Sequence, residues 1–400
     1  RVNKTYLLNK LCKYTDALKT AEKAIELDAE LAIAWGNKGN ALSGMGEYDE
    51  AIEAYNEDIR LDPTDAVAWY NKGNALYAQD KYDKAIKAYD EALKLDLNYA
   101  SAWNNKGNAF HDQGKYDEAI KAYDEAIKID PILAVAWGNK GDALNDQGKY
   151  DQAIEASDEA IMLDPKLAAA WNNKSLALNA QGKYDEAIEA CDEAIRLDPK
   201  LASAWGNRGI ALAGQDKNDE AIMAYNEAIK LDPKYASAWD NKGNALNAQG
   251  KHDEAIKAYD EAIRLDPNYS TVWYNKGNAF NAQGKYDEAI KSHDEAIRLD
   301  PNNAWAWNNK SIALAGQDKN DEAIKACDEA IRLDPKLAAA WINKGIALDN
   351  KKKYNEAINA FDEAIKLDPN SASAWYNKGI SLSVKNKHDE AIKAYDEAIR

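Results

Sequence analysis

Tryptophan returns every 34 residues. It stands at 35, 69, 103, 137, 171, 205, 239, 273, 307, 341 and 375, and only Trp305 is out of step. This period constrains the chain more than its length does. A unit so small cannot bury its own apolar face, so neighbours must stack and share a continuous core. Four hundred residues would otherwise suggest two or three globular domains.

With each periodic Trp placed at slot 4 of its unit, ten full units run from 32 to 371. Residues 1–31 fit slots 4–34 of an earlier unit, with Arg1 where the Trp would sit. Residues 372–400 fit slots 1–29 of a later one. The expected organisation is a single array over 1–400, about twelve units long, with its outer two clipped. Terminal repeats usually carry a polar outer face, whereas His388–Arg400 has the pattern of an ordinary second helix. With no initiator Met and no signal sequence, the expectation is a segment of a longer polypeptide, or ends covered by another copy.

Within a unit, slots 2–14 predict one helix. Gly or Asp at slot 15 (Gly114, Gly148, Asp216) ends it, as helix C-termini prefer. Apolar residues at slots 17, 20, 21, 24, 27 and 28 then predict a second helix. Proline at slot 32, as in Pro63, Pro131 and Pro165, stops it. Asp at slots 18 and 25 precedes slots 22 and 29 by four residues. Where the later residue is basic, such a pair adds a few tenths of a kcal/mol. Nothing alternates with period two, so the chain is expected to be all-α.

Trp at slot 4, Gly at 8, Leu or Phe at 11, Tyr at 17, Ala at 20, Tyr at 24, Ala at 27 and Pro at 32 resemble the tetratricopeptide repeat. The resemblance covers essentially the whole chain. It implies a right-handed α-solenoid superhelix of antiparallel helix pairs, with first helices lining a concave groove and second helices forming the back. One departure stands out. The family usually has a large apolar residue at slot 7, where this chain has Lys in eleven units and Arg208 in the other.

On a helical wheel at 100° per residue, slots 8 and 11 fall within about 40° of the Trp and form the buried face. Slots 2, 6, 9 and 13 fall opposite, with 5 and 12 at the edge. In Trp103–Phe110 (WNNKGNAF), Trp103, Gly107 and Phe110 should therefore point inward, and Asn104, Asn105 and Asn108 to the groove. The slot-7 Lys lies on a shoulder. There it can run its methylenes along the core edge and send its ammonium outward, towards an acidic partner on the Asp-rich second helices.

Slot 6 is Asn in every unit: Asn3, Asn37, Asn71, Asn105, Asn139, Asn173, Asn207, Asn241, Asn275, Asn309, Asn343 and Asn377. Asn is a middling helix former, so propensity does not explain the choice. A primary amide offers donor and acceptor together, and a regular series of them makes a ladder able to hold an extended peptide by its backbone. The repeats of the O-linked N-acetylglucosamine transferase family are similar at this slot, and that resemblance implies backbone binding along the groove. Two other readings stand beside it. The amides can cap or bridge neighbouring units near slots 2 and 33, or the groove can serve self-association.

The rest of the groove varies. Slot 9 is Asn at 40, 74, 108, 244 and 278 and aliphatic at Leu176, Ile210, Ile312, Ile346 and Ile380. Slot 5 brings Tyr70, Tyr274 and Tyr376, and Trp305 lies at slot 2. Tyr, Trp and amides are the mixture that recognition surfaces favour. The candidate peptide-binding set is thus the slot-6 series from Asn37 to Asn377 with Asn40, Tyr70, Asn74, Asn108, Asn244, Tyr274, Asn278 and Trp305. Slots 2, 5, 6, 9 and 12 hold no Lys or Arg from Ala32 onward. That speaks against the basic carboxylate clamp of some tetratricopeptide co-chaperones.

Catalytic chemistry is not evident. His252 and His388 replace the slot-17 Tyr, His293 replaces the slot-24 Tyr, and these three read as core; His111 is at slot 12. No His or Cys is paired at metal-ligand spacing. The recurring DEA carboxylates fall on a solvated helix back, not in a cleft. No phosphate loop or nucleophile motif is present. No catalytic residue, metal site or cofactor is expected. Cys191 and Cys327 share slot 24 and read as small buried hydrophobes. Glycosylation acceptor patterns occur at Asn3, Asn173, Asn268 and Asn309.

A formal charge of −17, from 51 basic and 68 acidic residues, argues against nucleic-acid partners and against anionic membrane surfaces. No apolar run approaches the ~20 residues a membrane span needs. The reading is a non-enzymatic scaffold that binds a protein or an extended peptide along its groove, a role slightly favouring the cytoplasm. The alternatives are a structural protein stacking end to end into a filament, extracellular and glycosylated, or the non-catalytic arm of a larger enzyme.

Overall fold

The computed structural model describes residues 2–400, so Arg1, expected at the first Trp slot, lies outside the described residues. Among the described residues there are 24 helices and no strand. They pair as the period dictates: Ala100–Asp112 with Tyr116–Ile129, Ala134–Asp146 with Tyr150–Leu163, and so on, with Val2–Lys10 and Tyr14–Ile25 as the first pair. First helices mostly occupy slots 1–13 and second helices slots 17–30. The turn between them is set by slot 15. Gly114 there has φ +71°, and Asp216 takes φ +60° in its place. In that left-handed conformation the Lys115 N–H donates to the Phe110 carbonyl and closes the helix end.

The helices cluster into two compact units, one ending at Ala211 and the other beginning at Leu212. In each, a second helix packs on the first helix that follows it. First helices touch the first helices of adjacent repeats, while no second helix touches the next second helix. Within each unit the first helices are therefore the crowded inner row. The fold is an all-α solenoid of helix pairs.

The core is built from small residues against one ring. In the repeat beginning at Ala32, Leu42, Ala51, Ala54 and Tyr55 close over Ala75 of the next repeat. Slot 8 must be small because the slot-24 ring lies flush against it. A Cβ on Gly107 would sit 2.5 Å from Tyr123 Cε1, and one on Gly73 at the same distance from Tyr89 Cε1. Where slot 24 shrinks to Cys191 or Cys327, slot 8 grows to Ser175 or Ser311. Both thiols are buried, and burial pushes them up to about 12 and about 11. His293 takes the ring position in one repeat. It is fully buried, and burial lowers its pKa to about 4. Of the other two histidines expected in the core, His252 is half-buried and His388 exposed.

Two expectations are corrected by geometry. The slot-4 indoles are half-buried rather than sunk. In seven of them the N–H donates to a carbonyl six residues earlier, as Trp137 to Pro131 at 3.2 Å and Trp171 to Pro165 at 3.2 Å, which ties those first helices to the turn before them, while the Trp239 N–H is buried without an acceptor. The acidic slots do not pair within their own helix at i,i+4. Asp at slot 25 turns to the slot-7 cation of the following repeat: Lys106–Asp90, Lys140–Asp124 and Lys174–Asp158 are each 2.7 Å. The slot-29 cation takes the slot-26 Glu instead, as in Arg264–Glu261 at 2.8 Å.

This arrangement accounts for the unusual slot 7. The Lys106 ammonium lies 4.7 Å from the Trp103 ring centroid and is ion-paired on its outer side. Its stem covers the core edge where the family places Leu, and the head gains a cation–π contact and a carboxylate. Lys72 and Lys242 meet Asn56 and Asn226 at slot 25, and burial without the counter-charge lowers their pKa.

The flush contact between slots 8 and 24 gives a direct test. Gly107→Ala should destabilise the array by about 1–3 kcal/mol through overpacking. A Cβ on Gly138, at slot 5, would have Leu167 Cδ2 as its nearest neighbour, at 3.5 Å. Gly138→Ala should therefore be neutral, or stabilising by up to about 1 kcal/mol. Urea unfolding of the two variants decides between these outcomes.

Candidate functional site

The inner row presents slots 2, 5, 6, 9 and 12, and a hydrogen-bond relay organises it. The Tyr55 hydroxyl donates to Asn40 Oδ1 at 2.8 Å, and Asn71 Nδ2 of the next repeat donates to the same oxygen at 3.1 Å. The pattern recurs as Tyr89, Asn74 and Asn105 (2.9 and 2.9 Å) and as Tyr123, Asn108 and Asn139 (2.8 and 3.0 Å). In these repeats the slot-6 amide is thus held by the repeat before it. A second donation often adds to the first: Asn105 to the Tyr70 hydroxyl, Asn139 to Asn104 Oδ1, and Asn309 to the Tyr274 hydroxyl beside Asn278 Oδ1.

At most slot-6 positions the N–H side expected to share in a two-handed grip is already committed within the protein. Asn173 donates to the Gly138 carbonyl, Asn207 to Asn172 Oδ1, Asn275 to Asp240 Oδ1 and Asn343 to Asn308 Oδ1. Asn37 and Asn377 donate one turn back, to the Ile33 and Ser373 carbonyls. Asn241 is half-buried. Most of these amides bridge repeats through slots 5 and 9 of the preceding repeat rather than slot 33, and Asn37 and Asn377 turn to the slot-2 carbonyl of their own repeat. The oxygen side differs. Among the described residues, no protein donor reaches Oδ1 of Asn71, Asn139, Asn173, Asn207, Asn275 or Asn343, and none of these oxygens is sealed from solvent. Locking the nitrogen fixes where each oxygen points.

The remaining expected residues fall on the same face with different accessibility. Asn244 is exposed, accepts the Tyr259 hydroxyl at 2.9 Å and lies beside Asp240. Tyr70 stacks on Tyr99, with ring centroids 4.8 Å apart. Trp305 is half exposed and Tyr376 more so. Asn104, expected to face outward, is buried, with its Nδ2 on Asn105 Oδ1. Of the glycosylation candidates, Asn173 and Asn309 have their amide nitrogens engaged between repeats. Asn268 lies exposed in a turn and Asn3 exposed on the first helix.

The structure adds a set of inner-face carboxylates that the sequence reading passed over. Asp240, at slot 5, is buried, and burial raises its pKa against the donors Asn275 and Asn244. Asp142 and Asp349 are raised by burial too. His111 Nε2 lies 2.9 Å from Asp146 Oδ2 and 3.9 Å from Asp142 Oδ2, beside a Tyr77-to-Asp112 hydrogen bond. Asp58 is the extreme case: it is 3% exposed, no donor reaches it, and burial pushes its pKa up to about 7, helped by Asp65 and Asp62. Its signal was present in the sequence, since slot 27 is Ala in every other repeat. The inner face is therefore rich in acceptors and anions. Among the described residues there is no cluster of three or more metal-ligating side chains, and no helix is long and apolar enough to cross a membrane.

Family models described as "Tetratricopeptide repeat" match residues 70–131, 139–202, 202–235, 270–303, 338–371 and 372–400, and further segments within 122–325. One described as "TPR repeat" matches 39–80 and 243–284. The chain belongs to the tetratricopeptide repeat family. No curated protein matches it. Among solved structures, the "Crystal structure of APC/C hetero-tetramer Cut9-Hcn1" is similar at 16% identity and a TM-score of 0.53, covering 99% of this chain and 92% of that one. At that identity the likeness shows the fold alone. Yeast Tom70 is similar at 21% identity and a TM-score of 0.45, over 92% of this chain and 91% of that one, and no argument rests on it.

In this tetratricopeptide repeat array, Asp58 makes stability depend on pH with a definite sign. Its folded pKa, about 7, exceeds the ordinary 3.8, so the folded state holds the proton more tightly. Stability is then highest below about pH 4 as far as this group is concerned, and is lost as pH rises towards 7. Asp58→Ala should raise the melting temperature at pH 8, by a free energy on the order of 1–3 kcal/mol, and much less at pH 4. Equal effects at both pH values would mean the carboxyl is not perturbed.

Proposed function

We propose that this array is a non-enzymatic interaction scaffold that holds an extended protein segment along the inner face of its first helices. The observation that carries the reading is the slot-6 series. At Asn71, Asn139, Asn173, Asn207, Asn275 and Asn343 the nitrogen is anchored to the preceding repeat and the oxygen is left open, so the face offers preset acceptors at intervals of one or more repeats. Such a row suits backbone N–H groups, which every non-proline segment supplies whatever its side chains. Exposed Trp305 and Tyr376, with Tyr70 and Tyr274, add apolar contact area that depends on the partner's side chains.

The charge pattern narrows the partner. Slots 2, 5, 6, 9 and 12 carry no Lys or Arg from Ala32 onward, while Asp142, Asp240 and Asp349 lie on this face. A partner segment bearing net positive charge complements it, and nucleic acid does not.

The test is backbone methylation. Peptides selected from a displayed library for binding to the full chain are resynthesised with single N-methyl groups, which remove one N–H at a time. The reading expects losses of about tenfold at positions facing the Asn oxygens. It also expects weaker binding to the triple variant Asn139→Ala, Asn173→Ala, Asn207→Ala. Affinity that follows ligand side chains and ignores backbone methylation would rule it out.

A further inference from the structure

One repeat departs from the others in three linked places. The repeat beginning at Ala32 has Gly36 at slot 5, Asp58 at slot 27 and Asp65 at slot 34, where the next repeat has Tyr70, Ala92 and Tyr99. In that neighbour the Tyr70 ring packs on Tyr99 and lids the junction. Here the lid is missing. The Asp58 carboxylate occupies its place so fully that a Cβ on Gly36 would overlap Asp58 Oδ2.

The carboxylate is in an unusual condition. Its side chain is all but buried, yet neither oxygen accepts a hydrogen bond: Oδ1 is sealed from solvent, and Oδ2, which is not, lies against Gly36. The nearby anions are otherwise engaged. Asp65 accepts from the Val67 and Ala68 amides, and Asp62 from Thr64. The nearby cations are engaged too, Arg60 with Glu57 and Lys38 over the Trp35 ring. A buried anion without a partner is costly to hold, and the about-7 pKa of Asp58 expresses that cost. On the helix surface Ile33 lies one turn before Gly36, and Val67 sits beside the capping Asp65; both are half exposed. Together they offer an apolar wall for a methylene stem, and Asp58 offers the end-point for a charge.

We infer that the unsealed carboxylate edge of Asp58 over Gly36 is a binding site for a primary ammonium group, with Asp58 as its counter-ion, and that it selects a lysine in the bound segment. The inference rests on the inner face being the binding face, but the site itself can be probed without a peptide.

Two arms are run on the full chain at pH 8. In the first, two extended peptides differ only in a central lysine or norleucine, and their affinities are compared on wild type and Asp58→Asn, which keeps the shape and removes the charge. The expected result is a preference for lysine of about fivefold on wild type, falling to about one on Asp58→Asn. Asp58→Ala, the residue of every other repeat, replaces the Asn variant if that one is misfolded. In the second arm, n-butylammonium is observed by saturation-transfer NMR with n-butanol as the neutral control. Its signal should be present on wild type and lost on Asp58→Asn.

A lysine preference that survives Asp58→Asn, or a butylammonium signal that does not depend on Asp58, overturns the ammonium site. If both peptides bind wild type equally, the site is overturned while the groove reading stands. If neither peptide binds but butylammonium still requires Asp58, the groove reading fails and the ammonium site stands.

Discussion

Everything on the inner face depends on the contact between slot 8 and slot 24. With Gly at one and Tyr at the other, the ring lies against bare backbone, as Tyr123 does against Gly107. This depth brings the hydroxyl to the inner surface, where it meets Asn108 Oδ1, and that oxygen in turn holds Asn139 Nδ2 of the next repeat. A packing constraint in the core thus becomes a polar constraint between repeats. The two are visibly coupled in the sequence: every repeat with Asn at slot 9 has Tyr or His at slot 24. Where slot 24 is Cys191, Cys327 or Phe361, which carry no hydroxyl, slot 9 is Leu176, Ile312 or Ile346. An amide there would lose its donor.

The same economy appears on the back. Slot 25 Asp would be an ordinary solvated helix residue, but the stacking brings it to the slot-7 cation of the following repeat, as in Lys310–Asp294 at 2.6 Å. Junctions such as those at Lys106 and Lys140 are therefore pinned on both sides of the Trp, by an ion pair over the indole on one and by the amide relay on the other. Exposed ion pairs individually contribute little. These have a half-buried cation and repeat at eight junctions, in seven of which the cation also lies over an aromatic ring. In an array whose stability is a sum of nearest-neighbour terms, a modest term repeated at each junction becomes substantial.

The period, the helix pairing, the slot-15 turn and the stop at slot 32 were legible because each depends on residues close together in sequence. Gly114 and Asp216 took the left-handed conformation their position requires. Relations across a junction were not legible. A wheel places Asn105 on the inner face but does not say that Asn74, 31 residues earlier, stands within hydrogen-bond reach. It shows slot 25 as solvated without revealing the lysine that stacking brings to it. The slot-4 Trp was assigned to the core from its size, whereas the fold uses its N–H at the repeat edge. Asp58 was legible in principle, as the single break in a column of alanines. Its meaning needed Gly36, 22 residues away in the chain and in contact in space.

This division between local and junctional information bears on how such a face acquires specificity. Where the relay joins two repeats, slot 6 is constrained, and its open oxygens set a backbone register with little discrimination. Selectivity then has to come from positions outside the relay. Slot 2 supplies Trp305 among small and aliphatic residues, and slot 27 departs from Ala once. A substitution at these positions changes what a partner meets without breaking a junction, provided its neighbour adjusts, as Gly36 does for Asp58. The carboxylates of Asp240, Asp142, Asp349 and Asp58, the first and last of them buried, add charge to this face, and each carries a pKa raised by desolvation. A cation arriving there is favoured twice, by its own attraction and by relief of an existing desolvation penalty. Constant amides set where a segment lies, and scattered anions decide which segment is retained.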